Sequence, residues 1–234
     1  MKCVVTGASG HIGNVLVRDL INKKYEVKAF VLKNENVDYL KKLNVEICYG
    51  DVRDLESLKN AFRGADIVFH LAGIIDIGTV NKKFIYSINV DGTKNVLQAC
   101  REEKVKKLVY TSSVHAIPEK PKEEVITEIT EFSENKVKGL YAKTKAEAAK
   151  YVIYAIKNKN LNACIIHPSG IIGPNDYGNS HLTQLIKEVA TGKLFACVKG
   201  GYNFVDVRDV ADGIISACDK NNRGECYILS NKYI

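Results

Sequence analysis

The chain has 234 residues, 46% hydrophobic and 26% charged, which fits one large globular domain or one domain with a small appendage. Its net charge of +7 comes from 34 basic and 27 acidic residues. The lysines are scattered, which favours a solvated surface over a nucleic-acid interface. The seven cysteines form no C-x-x-C pair. This pattern indicates reduced thiols and no metal site. The sequence has no signal peptide and no apolar run of membrane length, so we expect a cytoplasmic location and no membrane association.

Strand and helix patterns alternate along the chain. Short apolar or β-rich runs predict strands at residues 2–6, 26–32, 45–49, 65–71, 107–111, 161–167 and 225–230. Helical spacing predicts helices from residue 12 to 20, at 55–62 after a capping Asp54, at 89–103 and at 141–158. This alternation predicts an α/β fold with a doubly wound parallel sheet of the Rossmann type.

Three glycines spaced three residues apart, Gly7, Gly10 and Gly13, lie directly between the first strand and the first helix. The first suits a tight turn, the second lets the backbone approach phosphate, and the third lets helix and strand pack closely. Backbone N–H groups at a helix start attract an anion. Residues 7–13, the glycine loop, are therefore expected to hold the pyrophosphate of a dinucleotide. We interpret residues 1–170 as the dinucleotide-binding domain.

Two irregular segments, residues 114–139 and 172–180, each follow a predicted strand. Ligands of open parallel sheets bind outside the carboxyl ends of the strands, so both segments are expected to face a substrate. We interpret residues 171–234 as a partial substrate-binding region, interleaved with the last elements of the sheet.

Several motifs together resemble the extended short-chain dehydrogenase/reductase superfamily. They are T-G-x-x-G-x-x-G at 6–13, G-D-V-R-D at 50–54, H-L-A-G at 70–73, Y-x-x-x-K at 141–145 and H-P-S-G-I-I-G-P at 167–174. Residues 201–210 look most like its dihydroflavonol-reductase-like and 3β-hydroxysteroid-dehydrogenase-like members. With Lys33 added from the second strand, the resemblance implies a cofactor site of Gly7, Ser9, Gly10, His11, Ile12, Gly13, Lys33, Asp51, Val52, Leu71, Ala72, Gly73, Tyr141, Lys145, Pro168, Ser169 and Ile171.

The predicted catalytic residues are Ser113, Tyr141, Lys145 and Asn89. Positions four apart share a helix face, so Tyr141 and Lys145 are expected to point into one site. An adjacent ammonium favours the phenolate of a tyrosine, which then exchanges a proton with a carbonyl or alcohol oxygen. The resemblance places a serine at the end of the fifth strand to hold that oxygen, with Ser113 first and Ser112 in reserve.

Other residues carry two interpretations. Asp51 either meets the adenine or is a plain turn residue, and Asn89 either serves the site or caps a helix. We expect a structural role for His70, and a loop position for His115 rather than one lining the pocket. Arg208 either meets a substrate anion or pairs with a neighbouring aspartate.

The second strand should distinguish NAD from NADP, because an acid near its end binds the adenosine ribose and repels a 2′-phosphate. The stretch 28–33 contains no acid, which favours NADP(H) over NAD(H). Many NADP-using relatives carry Arg where this chain has Leu32, so Lys33 is the candidate for the 2′-phosphate.

The resemblance implies an NAD(P)-dependent oxidoreductase that moves hydride between nicotinamide and a small-molecule carbonyl or alcohol, and a homodimer. A nucleotide-sugar epimerase or dehydratase with tightly bound NAD and a non-catalytic redox sensor are the alternatives. Extended members continue past the strand matching residues 225–230, so we expect an incomplete substrate region.

Overall fold

The apolar runs form ten strands in the computed structural model, which describes residues 1–75, 81–121, 124–178, 180–193, 200–220 and 222–234. The strands are β1 (Lys2–Thr6), β2 (Glu26–Val31), β3 (Glu46–Tyr49), β4 (Ile67–His70), β5 (Lys107–Thr111), β6 (Ala163–Pro168), β7 (Gly170–Ile172), β8 (Asn203–Asp206), β9 (Cys226–Leu229) and β10 (Lys232–Tyr233). Seven of them form one parallel sheet in the order β3-β2-β1-β4-β5-β6-β9. The predicted doubly wound parallel sheet is confirmed.

The helices are α1 (His11–Asn22), α2 (Asp38–Lys41), α3 (Leu55–Phe62), α4 (Lys82–Tyr86), α5 (Gly92–Glu102), α6 (Leu140–Asn158), α7 (His181–Ala190) and α8 (Val207–Asp219). Asp54 caps α3 as predicted, because its side chain accepts hydrogen bonds from the backbone N–H groups of Glu56 and Ser57. The helix predicted over 89–103 begins differently: α5 starts at Gly92 after a π-helical turn at Ser87–Asp91.

Apolar side chains cover both faces of the sheet, so its strands are apolar on both sides. On one face Leu58 of α3 and Val152 of α6 belong to the same buried cluster as Val4 of β1. On the other face Leu16 of α1 and Ile214 of α8 cluster with the next residue of the strand, Val5. The alternation of neighbouring strand residues between two cores is what a doubly covered sheet requires.

The chain beyond β6 builds a second, three-stranded sheet and then returns to the first. The order is β10-β8-β7, with β7 and β8 parallel and β8 and β10 antiparallel. Helix α8 then leads to β9, which pairs with β6 in the large sheet. The division at residues 170 and 171 stays a prediction.

Two sequence-level expectations concern residues that the structure covers only in part. Six cysteines in the described ranges are free thiols: Cys3, Cys48, Cys100, Cys164, Cys218 and Cys226. Cys197 and Asn179 lie outside the described residues.

None of the described helices combines the length and apolar character needed to cross a bilayer.

The glycine loop is packed too tightly for side chains at two of its glycines. Gly7 has φ of 68°, and a Cβ built on it would lie 2.7 Å from the backbone N of Ala72. A Cβ on Gly13 would lie 2.1 Å from the backbone O of Gly7. The predicted reasons for the first and third glycines, a tight turn and close helix–strand packing, are therefore present in the structure.

We predict that Gly13→Ala lowers the free energy of unfolding by about 1–3 kcal/mol, because backbone must move to admit the methyl group. Chemical denaturation measures the change. Gly200→Ala is the matched control: a Cβ there meets no described atom within 4 Å, and we expect a change below about 0.5 kcal/mol. Equal stabilities of the two variants would contradict the packing of the loop.

Candidate active site

The predicted site residues meet because their strands are parallel neighbours. β1, β4, β5 and β6 are adjacent in the sheet, so their carboxyl ends share one edge. The glycine loop follows β1, residues 71–73 follow β4, residues 112–113 follow β5, and Ser169 follows β6. This edge is where open α/β sheets bind their ligands.

The start of α1 has the features of an anion site. Gly10 is its N-cap residue, no side chain caps the helix, and its first turn has no acidic residue. The first N–H groups of a helix have no partner within the helix and carry its positive end. Together with the missing side chains at Gly7 and Gly13, this fits the pyrophosphate of a dinucleotide bound against the backbone.

The other residues predicted to bind cofactor are distributed around this loop. The Asp51 carboxylate accepts hydrogen bonds from the backbone N–H and the guanidinium of Arg53, and these bonds hold its pKa below the ordinary value. These contacts show the turn role considered above, while the adenine role of Asp51 stays a prediction; Val52 is buried. His11 donates from Nε2 to the backbone O of Pro174, 3.0 Å away, and Lys33 is exposed.

A buried chain of hydrogen bonds links the glycine loop to the π-helical turn. The Thr6 Oγ1 accepts from the backbone N–H of Ala72, so its hydroxyl proton is donated to His70 Nδ1, 2.7 Å away. Thr93 Oγ1 donates to the backbone O of Asn89 and therefore accepts from His70 Nε2 at 3.1 Å. His70 is thus neutral with its proton on Nε2, and burial, helped by the charge of Lys145, lowers its pKa to about 3. The geometry agrees with the structural role expected of His70.

Asn89 lies in the π-helical turn and does not cap a helix. Its Oδ1 accepts from the backbone N–H of Ile74 at 2.9 Å, and its Nδ2 donates to Ile74 O and to Thr144 Oγ1. The amide thus joins the segment after β4 to α6, one residue before Lys145. A π-helical turn interrupts a helix and is frequent at functional sites.

Lys145 is buried and its Nζ donates to the backbone O of Thr111, 3.0 Å away. Burial lowers the pKa of Lys145 to about 8. A Cβ on Gly73 would lie 3.5 Å from this Nζ and 3.2 Å from Asn89 Oδ1. The small residue at position 73 therefore leaves space next to both polar groups.

Tyr141 and Ser113 are brought together as predicted. Burial raises the pKa of Tyr141 to about 12, while its contact with the Ser113 side chain acts in the opposite direction. The phenol is therefore neutral near pH 7. Ser113 Oγ also accepts from the backbone N–H of His115 at 3.2 Å. Ser113 thus also closes the turn after β5.

A cavity of about 700 Å³ opens beside Ala142, the residue that follows Tyr141 in α6. His115 lines it, and its Nε2 is 2.8 Å from the hydroxyl of Tyr202. The rings of His115 and Tyr141 meet edge to face with centroids 6.0 Å apart. The sequence left two interpretations for His115, a loop position or one that lines the pocket, and favoured the loop; His115 lies in the turn after β5 and lines the cavity. Its position two residues after Ser113 was the available signal.

The segment after β6 borders both the cavity and the sheet edge. Pro168 ends β6, Ser169 lines the cavity, and Ile171 lies in β7. The backbone N–H of Ser169 donates to Leu229 O at 3.0 Å, which fixes the segment to β9. Arg208, by contrast, forms two hydrogen bonds with the carboxylate of Asp206, at 2.9 and 2.6 Å, and so has the ion-pair role considered above.

One acid near the glycine loop was missed. The Glu35 carboxylate, two residues beyond the stretch that was inspected for an acid, accepts from Ser9 Oγ at 2.6 Å. The same oxygen accepts from the backbone N–H of Leu32 at 3.0 Å. The stretch 28–33 contains no acid, as the sequence analysis states, but Glu35 lies four residues beyond the end of β2, so the absence of an acid from that stretch no longer favours NADP(H).

Comparisons with known proteins agree with this architecture. A model of the 3-beta hydroxysteroid dehydrogenase/isomerase family matches residues 4–232. Sterol demethylase protein B of Methylococcus capsulatus is 34% identical over 233 residues, covering 100% of this chain and 70% of that protein. Human sterol-4-alpha-carboxylate 3-dehydrogenase, decarboxylating, is 31% identical over 240 residues, covering 98% of this chain and 62% of that protein.

Two solved structures show the same fold. The crystal structure of gox2253 is similar with a TM-score of 0.93 and 34% identity, covering 99% of this chain and 70% of that chain. UDP-glucose 4-epimerase of Thermus thermophilus, in complex with NAD, has a TM-score of 0.85 and 24% identity, covering 100% of this chain and 79% of that chain. At that identity the second comparison speaks for the fold alone.

We predict that His70 makes folding stability depend on pH. Its pKa is lowered to about 3 in the folded chain, against about 6.5 when unfolded, so the unfolded chain binds the extra proton. Stability is then full above pH 6.5 and falls at lower pH by up to about 1.4 kcal/mol per pH unit. Denaturant unfolding between pH 7 and 5 measures this slope.

His70→Gln should reduce the slope of the free energy of unfolding against pH by the contribution of one proton, even if it also lowers stability at pH 7. The remaining slope includes His167, whose pKa burial lowers to about 4. His181→Asn, which removes an exposed histidine at the start of α7, is the control. An unaltered slope in His70→Gln would contradict the assignment of a neutral buried imidazole.

Proposed function

Because the chain belongs to the 3-beta hydroxysteroid dehydrogenase/isomerase family, we propose that it transfers hydride between a nicotinamide cofactor and a ketone, an aldehyde or a secondary alcohol, with Tyr141 as the acid/base. That it is an NAD(P)-dependent enzyme of the extended short-chain dehydrogenase type follows from its dehydrogenase and reductase relatives. The observation that carries the mechanism is the contact of the Ser113 side chain with the Tyr141 phenol. Ser113 follows β5 at the sheet edge that also bears the glycine loop.

Tyr141 is suited to give a proton. Its pKa, raised to about 12 by burial, keeps the phenol protonated across neutral pH. Its ring meets that of His115, which lines a cavity large enough for a substrate. A neutral phenol donates a proton to the oxygen of a carbonyl as that carbon is reduced. The reverse reaction, alcohol oxidation, needs the phenolate and is therefore expected to gain rate as the pH rises.

The neighbouring residues have separate roles in this proposal. The nicotinamide cofactor supplies or accepts the hydride when it is bound. Ser113 orients the substrate oxygen beside Tyr141. Lys145, held by Thr111 O, would hold the nicotinamide ribose, and its ammonium form favours the phenolate. Asn89 positions the segment after β4 against α6. The glycine loop would hold the pyrophosphate.

The cavity favours an apolar carbonyl or alcohol as the substrate. Besides His115 and Tyr202, apolar side chains line it: Val114, Ile117, Val125, Ile126, Val137, Ala142 and Ile228. Several lysines also border it, namely Lys120, Lys136 and Lys138. Such a site suits a largely apolar ring or chain with one anionic or polar group. The names of the sterol dehydrogenase relatives support this choice.

The redox-sensor alternative and the epimerase or dehydratase alternative are supported to different degrees. A redox sensor without catalysis loses support, because the relatives are named as dehydrogenases and reductases. An epimerase or dehydratase stays a candidate, because the main argument against it was the missing acid, and Glu35 is present at the glycine loop. Cofactor that co-purifies, survives dialysis and is identified as NAD would favour it. The homodimer implied by the family resemblance and the cytoplasmic location stay predictions.

We predict that Tyr141→Phe lowers kcat about 10²–10⁴-fold, because it removes the proton donor. The assay is a panel of steroid, isoprenoid and simple aryl ketones with reduced cofactor, and a parallel panel of nucleotide sugars. Dinucleotide affinity, measured by fluorescence titration, should stay within about threefold of the wild-type value, since phenol and phenyl differ by one hydroxyl.

Tyr154→Phe provides the matched control. It removes the same hydroxyl from the same helix at an exposed position, and its activity should equal that of the wild type. Full activity of Tyr141→Phe would contradict the mechanism. Turnover of nucleotide sugars in preference to ketones would favour the epimerase.

A further inference from the structure

Glu35 is held in a fixed position by the backbone and by the glycine loop. One carboxylate oxygen accepts from Ser9 Oγ at 2.6 Å and from Leu32 N–H at 3.0 Å. Tyr39, four residues further on, donates its hydroxyl to the backbone O of Ser9. The connection between β2 and α2 is thereby bound to the loop that follows β1. Glu35 is half-buried, so its charge sits at this contact rather than in open solvent.

The contact lies on the β2 side of the glycine loop. β1 and β2 are paired in register from Lys2 and Glu26 to Thr6 and Phe30, so their carboxyl ends lie side by side. In sheets of this kind the pyrophosphate binds at the loop after the first strand. The adenosine ribose lies toward the end of the second strand, about 20 residues further along the sequence. Glu35 lies four residues beyond the end of β2 and is bound to the glycine loop at Ser9, which puts it on the side of the loop where this rule places the ribose.

A carboxylate there distinguishes the two cofactors by charge. It accepts a hydrogen bond from a ribose 2′-hydroxyl, whereas a 2′-phosphate would bring a second anion against it. The residue aligned with the arginine of many NADP-using relatives is Leu32, which has no charge. Lys33 is the one cation in the segment 32–37, and it is exposed. The fixed charge next to the loop is therefore negative.

We propose that Glu35 makes this enzyme select NAD(H) over NADP(H), by placing a carboxylate, tied to Ser9, where the adenosine 2′ position lies. The proposal rests on the proposed function, since it takes the glycine loop to hold a dinucleotide. It reverses the preference for NADP that the stretch 28–33 suggested. It also gives Ser9 a role, because the serine hydroxyl holds the acid in place.

Binding titrations of the full chain test this without a substrate. NADH and NADPH are titrated separately by their fluorescence. The quantity compared among variants is the ratio of the dissociation constant for NADPH to that for NADH. The wild type should bind NADH at least about tenfold more tightly, because like charges at short range disfavour the phosphate. Glu35→Gln keeps an acceptor for Ser9 and removes the charge, so the ratio should fall towards one, mainly through tighter NADPH binding.

Three further measurements make the result specific. Glu131→Gln removes an exposed carboxylate elsewhere and should leave the ratio unchanged. Lys33→Gln should leave the ratio nearly unchanged, whereas a loss confined to NADPH binding would mean that Lys33 holds the 2′-phosphate. In the wild type, added salt should narrow the ratio, because it screens the repulsion, and this holds even if Glu35→Gln folds poorly.

Failure of the proposal and failure of the function look different. A wild type that prefers NADPH, or a Glu35→Gln variant with an unchanged ratio, overturns the role of Glu35 and leaves the dehydrogenase assignment intact. A chain that binds neither dinucleotide overturns both.

Discussion

The buried imidazole of His70 connects the two halves of the site. It receives the Thr6 hydroxyl proton at one ring nitrogen and donates to Thr93 from the other, and Thr93 in turn donates to the backbone O of Asn89. Each donor in this chain has one acceptor, so the neutral ring with its proton on Nε2 is the form that satisfies every bond. The glycine loop and the π-helical turn therefore hold their relative position through a group that must stay uncharged.

The site otherwise depends on backbone proximity. Gly7 lies against the segment after β4, and Gly13 lies against Gly7, so the loop, the first helix and two strands form one tightly packed unit. The side chains proposed as catalytic lie on α6 and after β5, which pack on that unit through the buried core. A loop built in this way presents N–H groups to a phosphate without needing any particular side chain. This explains why glycine spacing alone was so informative.

The sheet, the glycine loop and the pairing of Ser113 with Tyr141 were predictable, because spacing and strand order determine them. The features that the sequence did not predict depend on contacts between loops and on burial. Glu35 lies beyond its strand and reaches Ser9 only because Tyr39 and Leu32 fix the connection. The π-helical turn inserts one extra residue per turn into a pattern that reads as an ordinary helix. The pKa values of Tyr141 and Lys145 depend on burial, which their spacing does not contain.

Charge is distributed unevenly along the path proposed for the dinucleotide. On the side of β5 and β6, burial raises the pKa of Tyr141 and lowers that of Lys145, so both groups are moved toward their neutral forms. That end borders the largely apolar cavity and suits an uncharged carbonyl. On the side of β2, Glu35 keeps its contacts with Ser9 and Leu32. In the proposed function the glycine loop holds the pyrophosphate between these two ends, so the nicotinamide is proposed on the side of Tyr141 and the adenosine on the side of Glu35.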